Sequence, residues 1–135
     1  MTPEGMTLVA SRFGPAETAD RLVAAVTSRG MTVIARVDHA AAAARVGLEL
    51  RPTEVVIFGN PRAGTPLMQT TQTIGIDLPL KALIWQDAEA RTWLAYNDPH
   101  WLAQRHGLVS TGDAVVAAMS DALDAIAREA AGAST

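Results

Sequence analysis

Leu80-Lys81-Ala82-Leu83-Ile84-Trp85-Gln86-Asp87-Ala88-Glu89-Ala90-Arg91-Thr92-Trp93-Leu94-Ala95-Tyr96 reads as two strands, 80–86 and 92–96, around a short charged connection. Five residues suffice for a hairpin, whereas a parallel crossover needs a dozen or more. At least this part of the sheet is therefore antiparallel. That reading decides the fold class, because the rest of the chain alternates strand and helix and would otherwise suggest a parallel sheet.

Working toward the N-terminus, the β-branched run Thr53-Glu54-Val55-Val56-Ile57-Phe58 predicts a strand, followed by Gly59-Asn60-Pro61-Arg62-Ala63-Gly64-Thr65-Pro66. Thr65 before Pro66 predicts a helix start, with Leu67, Met68, Thr71 and Ile74 on one face and Gly75 ending it. Residues 31–37 form another β-branched strand; Asp38 then caps a short alanine-rich helix over 40–46, which Gly47 ends. Residues 6–12 predict the first strand, and residues 16–29 a helix with Ala19, Leu22, Val23 and Val26 at helical spacing. Beyond the hairpin, Asp98-Pro99 opens a short helix ended by Gly107. Residues 111–131 place Val115, Val116, Met119, Leu123 and Ile126 along one helical stripe. The order β-α-β-α-β-α-β-β-α-α predicts an α+β fold: one compact domain, a largely antiparallel sheet, and helices on one face.

Composition narrows the function classes. A chain of 135 residues suits one domain with its own core. Cysteine is absent, which removes disulfides, thiolate nucleophiles and thiolate metal sites. Residues 1–5 show neither a basic region nor an apolar stretch, and no apolar run approaches the roughly 20 residues that span a bilayer. The expectation is a cytoplasmic protein with no membrane association. Net charge is −3 and the ten arginines are scattered, so no basic stripe for nucleic acid is expected. No Gly-x-Gly-x-x-Gly or Gly-Lys-Ser/Thr phosphate loop follows any strand, and no cofactor is expected.

The Gly-Asn-Pro segment is the leading candidate site, because loops leaving rigid strands favour recognition. Asn60, Arg62 and Thr65, with the amides of the following helix, would suit an anion or carboxylate. As plain structure, Asn60 ties a turn together, and Gly59 or Gly64 supplies positive φ. His39 follows a strand in the same manner but has no identifiable acid–base partner in the sequence. His100 and His106 stand six residues apart, about 240° around a helix, so they do not chelate from one face. No metal site is expected, and no catalytic residue is assigned. Ser11, Ser28, Ser110 and Ser120 lack a nucleophile-elbow context. Trp85, Trp93, Tyr96 and Trp101 suit a core, a subunit interface or the wall of an apolar pocket.

Several ordered pieces carry a family resemblance: Asp38-His39, Gly47-Leu48-Glu49-Leu50, Ile57-Phe58-Gly59-Asn60-Pro61, Gly64-Thr65 and Asp77-Leu78-Pro79-Leu80-Lys81. Trp85, Tyr96-Asn97-Asp98-Pro99 and Arg105-His106-Gly107-Leu108 continue it. Over residues 38–108 the chain resembles the bacterial and archaeal family called domain of unknown function 302. The resemblance implies a small α+β domain, similar in class to TATA-binding-protein-like β-α-β folds, and a homodimer. It implies no activity.

Two functional readings follow. The first is a dimeric domain that binds a small ligand or a protein partner beside the Gly-Asn-Pro loop. The second is a small-molecule enzyme that uses His39 with Asn60 and Arg62. The second requires the exits of the strands over 31–37 and 53–58 to meet. Parallel strands would bring them to one edge. Antiparallel neighbours would place them at opposite ends, leaving only a second subunit to bridge them.

Overall fold

The computed structural model describes residues 2–108 and 113–133. The elements are β1 (Met6–Ser11), α1 (Pro15–Ser28), β2 (Thr32–Asp38), α2 (His39–Arg45), β3 (Thr53–Gly59) and α3 (Pro61–Thr70). A 3-10 helix (Gln72–Ile76) precedes β4 (Leu80–Gln86) and β5 (Thr92–Asn97), and α4 (Pro99–Arg105) and α5 (Asp113–Ala131) complete the chain. Apart from the separate 3-10 helix, where the sequence predicts a single helix ending at Gly75, this is the element order expected from the sequence. The predicted start of the last helix at Thr111, like Ser110, lies outside the described residues.

All strands join one sheet in the order β1-β5-β4-β3-β2, and every pairing is antiparallel. Alternation then sorts the side chains. Val56 and Phe58, Leu80, Ala82 and Ile84, and Leu94 and Tyr96 share one face. The stripes of α1 (Leu22, Val26) and α5 (Leu123, Ile126) close over them as the main core. Full burial of side chains such as Phe58, Leu22 and Ile126 stabilises the fold by about 1.5–3 kcal/mol apiece. Burial, with Asp124 nearby, pushes the Tyr96 phenol up, so this ring stays neutral within the core.

The opposite face differs. Leu8, Val55, Ile57, Leu83, Trp85 and Trp93 alternate onto it, are half-buried, and join neither core cluster. A second, smaller cluster gathers Leu67 of α3, Ile74 of the 3-10 helix, Ala103 of α4, and Val116 and Met119 of α5. It fixes α3 and the 3-10 helix against α5, at the end of the sheet where β3 leaves and β4 enters.

Gly30, Gly47 and Gly107, three of the four expected helix enders, adopt positive φ, whereas Gly75 lies inside the 3-10 helix and does not. Gly59 and Gly64 do not, which corrects the turn reading. They serve close approach instead: a Cβ on Gly59 would stand 3.3 Å from Pro79 Cβ, and one on Gly64 would stand 3.5 Å from Leu78 Cδ1. Ser11 is also structural. Thr18 Oγ1 donates to the Gly14 carbonyl at 2.8 Å, so the 2.6 Å contact with Ser11 takes its proton from Ser11.

Candidate functional site

Asn60, rather than Thr65, caps the helix after β3. Its Oδ1 accepts from the Arg62 amide at 3.0 Å, Pro61 occupies the first helical position, and Pro66 lies inside the helix. Both Asn60-Pro61 and Thr65-Pro66 spell a cap followed by proline. The earlier start prevails because it lets Gly64 and Leu67 sink into the interior. One consequence bears on chemistry. Pro61 has no N–H, the Arg62 amide goes to Asn60 Oδ1, and the Ala63 and Gly64 amides both go to the Asn60 carbonyl. The first turn therefore has no amide left for an anion, so the expected backbone contribution is absent.

Asn60, Arg62 and Thr65 nevertheless share a site. They line a cleft of about 880 Å³ between α3, α5 and the edge strand β2. Met68 adds to the α3 wall, and Val115 and Met119 form the α5 wall. Met31, Leu78 and Leu80 supply more apolar lining, while Thr32, Ile34 and Arg29 stand on the β2 side. A register shift between Val33 and Ala35 inserts Ile34 as an extra residue in β2, where it is exposed and borders the cleft. The volume falls within the range of about 300–1,000 Å³ usual for small-molecule sites, and the mixture of apolar walls with a few polar groups is equally usual.

His39 does not belong to this cleft. β2 and β3 are antiparallel, with Thr32 opposite Gly59 and Asp38 opposite Glu54. Asn60 thus follows one end of the ladder and His39 the other, with about 20 Å of strand between them. Within a chain the shared site of His39, Asn60 and Arg62 is not formed. His39 is exposed and opens α2, a helix that buries none of its residues. Asp38 does cap that helix, accepting from the Ala41 amide at 2.9 Å.

A polar cluster missed by the sequence reading lies behind the cleft. His106 at the end of α4 contacts Asp77 Oδ2 through Nε2 at 2.6 Å and Thr73 Oγ1 through Nδ1 at 2.9 Å. Arg105 Nη1 holds both Asp77 oxygens, at 3.0 and 2.8 Å. The His106 side chain is 8% exposed, and both of its ring nitrogens have partners in either protonation state. Hydroxyl, imidazole and carboxylate in a row resemble a nucleophile relay, but neither Thr73 nor His106 lines the cleft, and Thr73 lies on the exposed surface. The cluster instead straps the 3-10 helix to α4, and so holds Leu78 in the cleft wall. Only sequence separations of 29 and 33 residues link these partners, and no local pattern signals such a contact.

Among the described residues, no three His, Asp or Glu side chains gather as a metal would need. Asp87, in the β4–β5 turn, is held below its usual carboxylate range, chiefly by the Trp93 indole and then by the Arg91 and Glu89 amides. It is distant from the cleft in the fold, because it follows the end of β4 opposite Leu80.

An antiparallel five-stranded sheet with helices on one face and an apolar cleft at one end defines a small α+β domain. The chain belongs to the family described as domain of unknown function DUF302, which it matches over residues 7–126. The crystal structure of an uncharacterised conserved DUF302 protein from Bacillus stearothermophilus superposes with a TM-score of 0.84. That likeness covers 95% of this chain and 99% of the other at 19% identity, and it shows the fold alone. Over 128 residues the chain is 49% identical to a protein of Brucella suis biovar 1 (strain 1330) named fluoride-specific ion channel FluC 1. The match covers 95% of this chain and 50% of that protein. The protein of the same name from Brucella abortus biovar 1 (strain 9-941) is likewise 49% identical, over 47% of its length. The chain spans about half the length of these curated relatives. Among the described residues, no helix is long and apolar enough to cross a membrane.

Proposed function

We propose that this chain is a small-molecule-binding domain that works as a homodimer, with its ligand in the cleft beside the Gly-Asn-Pro segment. The cleft carries this reading: about 880 Å³ bounded by two helices and a sheet edge, with three of the four sequence candidates on its wall. Nile red, an uncharged apolar dye, tests it. The dye brightens on binding to the native domain, and Ala118→Trp, which projects a large ring from an exposed cleft-lining position on α5, abolishes most of that signal. Equal dye binding by both proteins sinks the reading.

The uncovered sheet face supports the dimer. Five strands at about 4.8 Å spacing and about 20 Å long present a flat patch of roughly 480 Å² before side-chain relief is counted. With its apolar side chains and the sheet margins, such a patch approaches the roughly 800 Å² per partner of a standard interface. A partner copy would cover Leu83 and Trp85 at its centre. Light scattering at micromolar concentration gives twice the mass of 14.2 kDa for the native chain, and Leu83→Glu returns a monomer. A native monomer ends the dimer proposal.

The enzyme alternative, His39 acting on a ligand held by Asn60 and Arg62, needs His39 from a second subunit. No observation favours it. The Brucella relatives support a module reading: in them this domain accompanies additional sequence within a protein named for a fluoride channel. A ligand-binding domain in that setting would report a small molecule to its neighbour.

A further inference from the structure

We infer that the ligand of the cleft is an amphipathic organic anion: a carboxylate, or a similar oxyanion, on a flexible apolar body. This rests on the cleft being the ligand site and adds the class of molecule it takes.

Charge is the first ground. Among the described residues, Arg29 and Arg62 are the only charged ones lining the cleft, and no carboxylate lines it. Three other arginines among the described residues meet acids: Arg36 with Glu54 and Asp20, Arg105 with Asp77, and Arg128 with Asp124. Among the described residues, neither Arg29 nor Arg62 meets an acid. Acids are not scarce, since the chain has 14 against 11 basic residues. Two guanidiniums without carboxylates, at the mouth of an apolar cleft in a net-negative protein, make a local positive site that repels cations and draws anions.

Placement is the second ground. Thr32 pairs with Gly59 at the end of the β2–β3 ladder. Arg29 precedes Thr32 by three residues and Arg62 follows Gly59 by three, so the two arginines flank the same ladder end. Thr32 and Thr65 add hydroxyls to that rim. Because the first-turn amides of α3 are already bonded within the cap, recognition falls to these side chains. A planar guanidinium matches a carboxylate by paired N–H donors, which suits a head group presented between two arginines.

The apolar walls are the third ground. Met31, Met68 and Met119 line the cleft beside Leu78 and Leu80. Methionine has three rotatable bonds and a polarisable sulfur, and it adapts to irregular or variable partners. Such a wall suits an acyl chain better than a rigid ring system, whose shape would call for fixed branched side chains.

Competition against Nile red decides the matter, using dodecanoate, dodecanol and dodecylamine as probes of equal chain length and different head group. Dodecanoate should displace the dye about tenfold more tightly than dodecanol, a step of about 1.4 kcal/mol. Dodecylamine should be the weakest of the three. Arg29→Gln combined with Arg62→Gln should bring dodecanoate to the level of dodecanol while leaving dodecanol unchanged. Raising salt should narrow the native difference in the same direction. Both arginines are exposed and, among the described residues, meet no acid, so the double variant should fold, which matching thermal melts would check. Equal displacement by dodecanoate and dodecanol in the native protein overturns the anion inference and leaves the cleft reading standing. An advantage for dodecylamine, or a dodecanoate preference that survives in the double variant, overturns it as well. Failure of the native protein to bind Nile red or any probe overturns both.

Discussion

The two ends of the β2–β3 ladder begin alike and finish differently. At each, a strand runs into a side-chain-capped helix: Asn60 caps α3 and Asp38 caps α2, with bonds of 3.0 and 2.9 Å. At the Gly59 end, α3 buries Gly64 and Leu67, meets α5, and becomes the wall of a cleft. At the Asp38 end, no residue from 39 to 52 is buried, and Val46 and Leu48 are 72% and 64% exposed. A cap and good helix formers are enough to start a helix. Only burial of a face turns it into a rigid part of a site.

Truncating one leucine at each end puts this contrast to its hardest test. Leu67, 2% exposed within the smaller core cluster, should cost about 2–5 kcal/mol on replacement by alanine, from lost transfer energy and the cavity left behind. Leu48→Ala should change stability by less than about 0.5 kcal/mol in the monomer. Urea unfolding of both variants reads the difference. Similar costs would mean that the segment over 39–52 is covered in solution.

Removing the caps sharpens the comparison at a smaller scale. Asn60→Ala should lower global stability by about 1 kcal/mol, because α3 is tied to the core and its loss is felt throughout. Asp38→Ala should loosen α2 alone: faster amide exchange at Ala43 to Arg45, with little shift of the urea midpoint. Matched midpoints would show that α2 is coupled to global unfolding.

This contrast also marks what the sequence disclosed. Hydrophobic period and glycine punctuation located the strands and the α-helices, but the one helix expected from Thr65 to Gly75 is split into α3 and a separate 3-10 helix. The 80–96 hairpin rightly implied antiparallel pairing. The β2–β3 pairing was not legible. A helix between two strands usually signals a crossover, but α2 has only seven residues and lies within a long hairpin connection. With that pairing went the position of His39. Asn60, Arg62 and Thr65, which line the cleft, stood out as candidates because strand exit, cap and proline are local signals, although the cap is Asn60 and not Thr65. Arg29 and the α5 wall, by contrast, reach the cleft only through tertiary packing. The strap between Asp77 and His106 was hidden for the same reason.

The β4–β5 turn belongs to the loose end, since Thr53 pairs with Trp85 and the Gln86 amide bonds to the Pro52 carbonyl at 3.0 Å. Ala90 in that turn has φ of 63°, in the left-handed region that costs an alanine about 1–2 kcal/mol. Ala90→Gly removes that strain but enlarges the entropy of the unfolded chain. The net gain should be about 0.5 kcal/mol in urea unfolding. A loss would mean that the turn adapts to alanine at no cost.

The smallest effect lies beside it and appears only in acid. Asp87 Oδ1 accepts from the Glu89 and Arg91 amides, both at 2.9 Å, and Oδ2 accepts from the Trp93 indole at 2.8 Å. These bonds favour the charged carboxylate and lower its pKa, the indole most of all. The sign follows by linkage. A native pKa below the usual 3.8 contributes stability in full above that value, and the contribution fades as pH falls through the lower native pKa. Asp87→Asn cannot gain or lose that proton. The stability gap between native protein and variant should therefore hold steady above about pH 5 and close below the usual carboxylate value. Asp87 is half-buried in a surface turn, where water still screens it, so the gap should be modest. A gap that stays constant down to pH 2 would mean that the protonated acid makes the same three bonds equally well. The turn would then be held by its shape rather than by the charge of Asp87.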